Sequence, residues 1–265
     1  MTLTCKNCNT HFKGNFCYNC GQSVNTHRMN FHFLWHDIQH GLFHFDKGVL
    51  YTSKQLFTRP GQTIREFLDG KSVKHFKPIS FIIILATVYG ILYHYSNINS
   101  FNNEFLKGFE EGFNRSTTEE KSPLILNFEI INEWIGTHYS WMTLFLLPFY
   151  ALASFCAFKK IGYNYVEHLI LNSFLTAQRL LFRIATLPLL YFYNNTPTSN
   201  IISIVTNIID FALTFWVYMQ FFNKYSKTKS FWLSILSYLF FGLFLLIMIN
   251  IVVIIFMVYK KVPKY

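Results

Sequence analysis

The chain is a series of long apolar runs separated by short polar segments. Five of these runs, called spans one to five, cover residues 79–95, 141–158, 166–193, 201–222 and 231–259. Each reaches the roughly 17 residues that an α-helix needs to cross about 30 Å of hydrocarbon. A soluble protein would need several helices that are apolar on every side, which is unusual in a small domain. The pattern therefore predicts an all-α integral membrane protein with about five transmembrane helices.

Spans three and four differ from the others because each carries polar side chains along one face. At 100° per residue, the polar positions of each span fall within about 80°. These positions are His168, Asn172, Thr176, Arg179 and Arg183 in span three, and Ser203, Asn207, Asp210, Thr214 and Tyr218 in span four. The connection between the two spans is so short that they must form an antiparallel hairpin. Folding about its midpoint sets Arg183 level with Asp210, and Arg179 level with Thr214.

The ionisable side chains of this hairpin should be paired or hydrated, since each costs at least ~2.5–3.5 kcal/mol near the bilayer centre. An Arg183–Asp210 ion pair meets that need, whereas Arg179 finds no second acid at its level. Two interpretations of the polar core remain open; the core consists of Asn172, Arg179, Arg183, Asn207 and Asp210. It either only holds the helices together, or it lines a cavity or pathway where the arginine charge attracts an anion or a lipid headgroup.

A row of histidines precedes span one, at His32, His36, His40 and His44. At helical spacing they share one arc and apolar residues occupy the opposite one, which predicts an amphipathic helix on the membrane surface. The row has three open interpretations: the polar face of that helix, a pH-responsive face, or a second metal site. For the last two, the candidate residues are His36, His40 and His44 together with Glu167 and His168.

The N-terminal segment contains two CxxC pairs, Cys5/Cys8 and Cys17/Cys20. Two such pairs form knuckles that close on one tetrahedral ion, most often zinc, and four thiolates leave it no open coordination position. We therefore expect a zinc ribbon with a structural ion, although rubredoxin-like iron uses the same geometry. Disulfides are disfavoured on a reducing cytoplasmic side. The fifth cysteine, Cys156, lies in span two and is expected to pack there.

These features divide the chain into three parts. Residues 1–24 form the predicted zinc ribbon, residues 25–77 form cytosolic amphipathic and interfacial helices, and residues 78–265 form the transmembrane domain. Within the last part, the loop 96–140 carries seven glutamates against three basic residues. We expect this acidic loop to lie outside the cell.

Composition supports a membrane protein, and the basic residues set its orientation. The chain is 52% hydrophobic and 14% charged, whereas soluble proteins carry about a quarter charged residues. Lysines and arginines gather before span one, after span two and after span four, which places the N-terminus in the cytoplasm. Five of the ten basic residues in 1–78 adjoin span one, where anionic lipid explains them better than nucleic acid.

Three segments resemble a known bacterial family. HGLFHFDKG (40–48), LFTRPGQTIREFLDGK (56–71) and Pro78, all following a double CxxC, resemble a domain-of-unknown-function family of integral membrane proteins with an N-terminal zinc ribbon. Glu167-His168 is similar to a recurring Glu-His pair of that family. The resemblance implies a multi-pass protein of the bacterial inner membrane and brings no established activity.

Three functions fit the sequence. The leading one is a non-enzymatic inner-membrane protein whose cytosolic zinc ribbon docks an unknown protein partner or senses a condition. Neither GxxxxGK[ST] nor GxGxxG occurs, so nucleotide chemistry is not expected. The alternatives are a small transporter or channel that uses the polar faces of spans three and four, and a membrane metalloenzyme that uses the histidine row. The sequence leaves open whether the chain forms an oligomer.

Overall fold

The computed structural model describes residues 2–24, 28–31, 48–96 and 138–261. The histidine row and nearly all of the acidic loop lie outside these residues. Two short strands, β1 (Leu3–Thr4) and β2 (His11–Phe12), come first. Seven helices follow in the described part of the chain: α1 (Gly48–Thr58), α2 (Pro60–Leu68), α3 (Pro78–Tyr95), α4 (Tyr139–Phe158), α5 (Tyr165–Phe192), α6 (Pro197–Phe221) and α7 (Lys227–Lys261). Helices α3 to α7 correspond to the five predicted spans.

Four of the described helices are long and apolar enough to cross a membrane: α3, α4 with the turn that follows it, α6, and α7 as far as Met248. This corrects the predicted count of about five. The exception is α5, which has 28 residues and so meets the length requirement. Its charged and amide side chains lower its mean hydropathy. The chain is therefore a multi-pass membrane protein, and its described part contains four helices of spanning length and composition and one long, more polar helix.

Helix α5 lies at the centre of the bundle. It packs against α1, α2, α3, α4 and α6, while α7 packs against α4 and α6. Every residue from Val166 to Gln178 is buried. This half of α5 therefore meets protein on all sides, which is why polar residues occur there without contact with lipid or water.

Helix α2 lies across the carboxyl end of α6 at very short range. Gly61 is the contact point, because a Cβ atom at that position would lie 2.4 Å from the backbone of Gln220. The Arg65 guanidinium donates to the carbonyl oxygens of Gln220 and Phe221, the second at 3.0 Å. These carbonyls belong to the last turn of α6, where no intrahelical donor reaches them. Gly61 and Arg65 thus fix α2 to the end of α6.

The close contact at Gly61 predicts a large effect for a single added methyl group. Gly61→Ala should lower the free energy of unfolding by about 1–3 kcal/mol, because the backbone of α6 has to move. The matched control is Gly242→Ala in α7, where a Cβ atom would meet nothing within 4 Å. That change should be neutral or stabilising by up to about 1 kcal/mol. Thermal unfolding of both variants in detergent checks this, and equal melting temperatures would contradict the close contact.

His75 lies where α1 and α2 meet the start of α3. The residue is 9% exposed, and its ring packs against Tyr51 and Phe67, at centroid distances of 5.3 and 6.4 Å. Its Nδ1 atom has no hydrogen-bond partner within the described ranges. Burial lowers the pKa of His75 from 6.5 to about 4. The folded protein therefore holds this imidazole in the neutral form.

The lowered pKa predicts that His75 makes the protein less stable in acid. Below its ordinary pKa the unfolded chain protonates His75, whereas the folded protein does so only near pH 4. Stability should therefore fall as pH drops from about 6.5 to about 4, by up to about 3 kcal/mol. His75→Phe keeps the ring and removes the titration. Unfolding midpoints measured at pH 7 and pH 5 should differ less for this variant than for the wild type, and an equal difference would exclude His75 as the cause.

Candidate functional site

The N-terminal ribbon consists of two knuckles on a small antiparallel sheet. Strand β1 pairs with β2, with Leu3 opposite Phe12. In each knuckle the residue after the second cysteine has a left-handed backbone: Asn9 with φ 59° and Gly21 with φ 74°. Their amides donate to the carbonyl oxygens of Cys5 and Cys17, respectively, at 2.9 and 2.8 Å. The two knuckles therefore have the same turn geometry, which brings all four sulfur atoms to one point.

The four sulfur atoms are close enough to bind one metal ion. All lie within 4.8 Å of one another, with 3.5 Å between Cys5 and Cys20 and 3.6 Å between Cys8 and Cys17. Tetrahedral zinc with ligands at about 2.3 Å would hold the sulfur atoms about 3.8 Å apart. Cys5 and Cys17 are buried and the other two half-buried. The donor set and its spacing therefore fit a closed four-thiolate site.

The thiols of this cluster do not share one proton affinity. The hydroxyl and backbone of Thr10 lower the pKa of Cys8 to about 5, and the Thr10 Oγ1 atom lies 3.2 Å from its sulfur. Burial raises the pKa of Cys5 to about 11. Cys8 therefore releases its proton more readily than Cys5, and metal binding requires that both do so.

The segment after the ribbon is fixed to the N-terminus of α5. Arg28 donates from Nε and Nη2 to the two carboxylate oxygens of Glu167, at 2.8 and 2.9 Å. Its Nη2 also donates to the Gly162 carbonyl at 2.6 Å. The Asn164 side-chain amide donates to the carbonyl oxygen of Met29 at 3.1 Å. We call these contacts the Arg28 clamp.

Glu167 has a second role in the same place. Its Oε2 atom accepts from the Asn164 amide at 2.7 Å, while the Asn164 side chain accepts from the Glu167 amide at 2.8 Å. This reciprocal pair is a capping box at the start of α5, which satisfies donors that the helix leaves free. Glu167 is 8% exposed as a side chain. One buried carboxylate therefore both starts α5 and binds the ribbon segment.

These contacts bear on the predicted second metal site. Glu167 is used by Arg28 and Asn164, and His168 Nδ1 lies 2.9 Å from Ser154 Oγ. Within residues 2–24, 28–31, 48–96 and 138–261, the four cysteines are the only group of three or more metal-binding side chains close enough for one ion. His36, His40 and His44 lie outside the described residues. The second site therefore remains a prediction.

The predicted polar core is assembled between α5 and α6. Arg183 Nε donates to Asp210 Oδ2 at 2.8 Å, and Arg183 Nη2 donates to Asn207 at 3.0 Å. Arg179 Nε lies 3.9 Å from the same Asp210 oxygen. The antiparallel hairpin predicted from the sequence places Arg183 and Asp210 at the same depth, and their hydrogen bond agrees with it. The structure adds that both arginines share one carboxylate.

Asn172 belongs to a separate buried cluster that also includes α4. Its Nδ2 atom donates to Ser154 Oγ at 2.9 Å, and its Oδ1 atom accepts from the Tyr218 hydroxyl at 2.7 Å. Ser154, His168, Asn172 and Tyr218 are at most 2% exposed. Phe155, Tyr163 and Phe222 pack around the His168 ring. This cluster joins α4, α5 and α6 by hydrogen bonds in an apolar surrounding.

Three of the residues that build these sites were not predicted from the sequence. Asn9 has a recognisable signal, because it follows the second cysteine just as Gly21 does in the other pair. Arg28 has none, since it meets Glu167 across 139 residues of chain. Ser154 is a single hydroxyl in an apolar run, and only its neighbours in space reveal its role.

One segment of the chain matches the model of a known protein family. Residues 46–90 match the model of a family described as Protein of unknown function (DUF3667). This segment contains α1, α2 and most of α3, including Gly61, Arg65 and His75. It agrees with the resemblance to a domain of unknown function. No curated protein and no solved structure matches the chain significantly.

The Arg28 clamp predicts a graded set of effects at the start of α5. Glu167→Gln keeps a residue that can close the capping box but loses the ion pair, so its effect should be no larger than that of Arg28→Ala, which also removes the hydrogen bond to Gly162. Arg28 is 61% exposed, so either change should cost at most about 1 kcal/mol. Glu167→Ala also removes the cap, which costs about 1 kcal/mol more.

Hydrogen exchange of the amides of residues 164–170 measures these effects locally. Exchange should rise modestly in Arg28→Ala and Glu167→Gln, and most in Glu167→Ala. The double variant Arg28→Ala/Glu167→Gln should equal Arg28→Ala, because Arg28→Ala already removes the ion pair along with the hydrogen bond to Gly162. Additive effects would show that Arg28 and Glu167 act independently.

Proposed function

We propose that this chain is a non-enzymatic multi-pass protein of the bacterial inner membrane. Its cytosolic zinc ribbon docks a protein partner or senses a condition, and the Arg28 clamp connects that ribbon to the central helix. The observation that carries the proposal is the closed cluster of four cysteine sulfur atoms within 4.8 Å, next to a segment bound directly to α5.

The chemistry of the donor set supports zinc in a structural role. Four cysteine sulfurs in two knuckles are a common ligand set of structural zinc and saturate a tetrahedral ion. So small a ribbon has little core of its own: Cys5, Phe12 and Cys17 are its buried apolar residues. Its folding therefore depends on the ion, and loss of the ion would alter the ribbon surface.

The contacts of the ribbon supply a route to the membrane domain. The Ser72 amide, in the loop before α3, donates to Gln22 Oε1 at 3.3 Å, and Arg28 binds Gly162 and Glu167 at the start of α5. A partner or condition that changes the ribbon therefore acts on the ends of two helices. Glu167 transmits this change most directly, since it also forms the helix cap.

The cytosolic location is supported by the charge near these contacts. Gly162 follows Lys159 and Lys160, which are exposed at the end of α4. Lys224 lies between α6 and α7, and Lys227 and Lys229 lie in the first turn of α7. Helix α2 joins that end of α6 to the loop before α3. The ribbon therefore shares one end of the bundle with the basic connections. Basic connections lie on the cytoplasmic side of membrane proteins and attract anionic lipid.

Metal content tests the ribbon with a control that the chain itself provides. Purified wild-type protein should contain about one zinc ion per chain by elemental analysis. Cys17→Ser combined with Cys20→Ser should lose it, because two thiolates bind zinc much more weakly than four. Cys156→Ser should retain it, since Cys156 is exposed on α4.

Three results would contradict the proposal. Stoichiometric iron in place of zinc would make the site a redox centre. Wild-type protein that is folded without bound metal would remove the metal-dependent ribbon. Metal that persists in the Cys17→Ser/Cys20→Ser variant would locate it elsewhere, and its loss on changing His40 and His44 would favour the metalloenzyme.

A further inference from the structure

Five exposed lysines lie at one end of the bundle, after α4 and between the end of α6 and the first turn of α7. We call them the lysine patch: Lys159, Lys160, Lys224, Lys227 and Lys229. Phe158, the last residue of α4, stacks on Phe222 after α6, with ring centroids 3.7 Å apart. Helix α4 also packs along α7, where Tyr150 stacks on Phe241 at 3.9 Å. The two parts of the lysine patch therefore lie next to each other.

The lysine patch has little negative charge around it. The described ranges contain four acids, and three of them, Glu66, Glu167 and Asp210, form ion pairs with arginines. The fourth, Asp69, is exposed after α2 and is followed by two more lysines. No ion pair among the described residues includes a lysine of the patch. Within these ranges, five positive charges therefore share one surface with no carboxylate paired to them.

Helix stability does not account for all of these lysines. Lys159 and Lys160 follow the carboxyl end of α4, where a positive charge is favourable. Lys227 and Lys229 lie in the first turn of α7, which holds no acid and where a positive charge is unfavourable. The Tyr225 ring supports Lys229, whose Nζ atom lies 3.9 Å from the ring centroid. The charge at the start of α7 therefore destabilises that helix unless an anion from outside the protein balances it.

Exposed aromatic side chains indicate that the lysine patch lies at the membrane surface. Trp232 and Phe231 are 64% and 40% exposed and lie within about 8 Å of Lys227 along α7. From Lys227 to Met248, α7 is apolar and long enough to cross a membrane. Tryptophan is enriched at the level of the lipid headgroups, and lysine stems extend along apolar surface while the ammonium group stays in water. The lysine patch therefore lies where α7 leaves the hydrocarbon.

We propose that the lysine patch binds the phosphate headgroup of an anionic phospholipid. Lys224, Lys227 and Lys229 contact the phosphate, and Trp232 packs against the glycerol end of the acyl chains. A lipid fits better than a nucleic acid, because exposed aromatic and apolar side chains continue from the lysines into the membrane. The site requires neither the zinc ion nor the protein partner of the proposed function. It therefore goes beyond that function, and either can fail while the other holds.

Native mass spectrometry of the purified full-length protein tests the proposal. The protein in a neutral detergent is mixed with equal amounts of phosphatidylglycerol and phosphatidylcholine that carry the same acyl chains. Wild-type protein should retain the anionic lipid in preference to the zwitterionic one by roughly tenfold or more. The reason is that each lysine near the phosphate raises the affinity by about fivefold.

Two double variants and one matched control connect that preference to the lysine patch. Lys227→Gln combined with Lys229→Gln should lower the preference by roughly tenfold. Lys227→Arg combined with Lys229→Arg should keep it, because both positive charges remain. The control, Lys6→Gln combined with Lys13→Gln, removes two exposed charges from the ribbon and should bind lipid like the wild type. All four lysines are exposed, so these variants should fold.

Three results would overturn the proposal. Equal retention of the two lipids by wild-type protein would exclude a headgroup site. An equal loss of preference in the Lys6→Gln/Lys13→Gln control would show that net charge, rather than the lysine patch, selects the lipid. Retention of a single-stranded oligonucleotide in place of the lipid, when both are offered, would assign the lysine patch to nucleic acid.

Discussion

Helix α5 carries charged and amide side chains that hydrocarbon would penalise, and the rest of the bundle is arranged so that they meet protein instead. Five of the described helices pack against it, and thirteen consecutive residues, Val166 to Gln178, are buried. Polar groups placed in this way form hydrogen bonds that water or lipid cannot disturb. Ser154, Asn172 and Tyr218 join three helices, and Arg183 with Asp210 joins two. A helix that is unfavourable in lipid thus becomes the element on which the others are oriented.

The amphipathic helices α1 and α2 also pack against α5, at one end of the bundle. The Gln178 side-chain amide in α5 donates to the Leu56 carbonyl oxygen at 2.8 Å. A carbonyl in the last turn of α1 thereby gains a hydrogen-bond donor from α5. Gly61 and Arg65 do the same for the end of α6. The family match over 46–90 covers this arrangement. Residues of the matched segment therefore bind the end of α6 and the middle of α5, through Gly61 and Arg65 in one case and Leu56 in the other.

The sequence predicted those features that depend on local spacing. The apolar runs located helices α3 to α7, the two CxxC pairs located the cluster of four cysteines that could bind a metal ion, and the short turn before α6 set Arg183 beside Asp210. The predicted count of about five spanning helices was too high by one. The run 166–193 is long enough to cross a membrane, but its charged and amide side chains make α5 less apolar than the four candidate spans. What could not be predicted depends on residues far apart in the chain. Gly61 is small because of Gln220, and Arg28 is oriented by Glu167; neither relation has a period or a motif.

The distance in sequence between Arg28 and Glu167 also gives the assembly of the protein an order in time. The two residues are 139 positions apart, and ribosomes add about 5–20 residues per second. The N-terminal ribbon therefore emerges roughly 7–30 s before its attachment point on α5 has been synthesised. In that interval Arg28 cannot form its ion pair with Glu167, and α3 and α4 are synthesised without it. The ribbon segment and α5 can therefore be joined only after α3, α4 and the start of α5 have been synthesised.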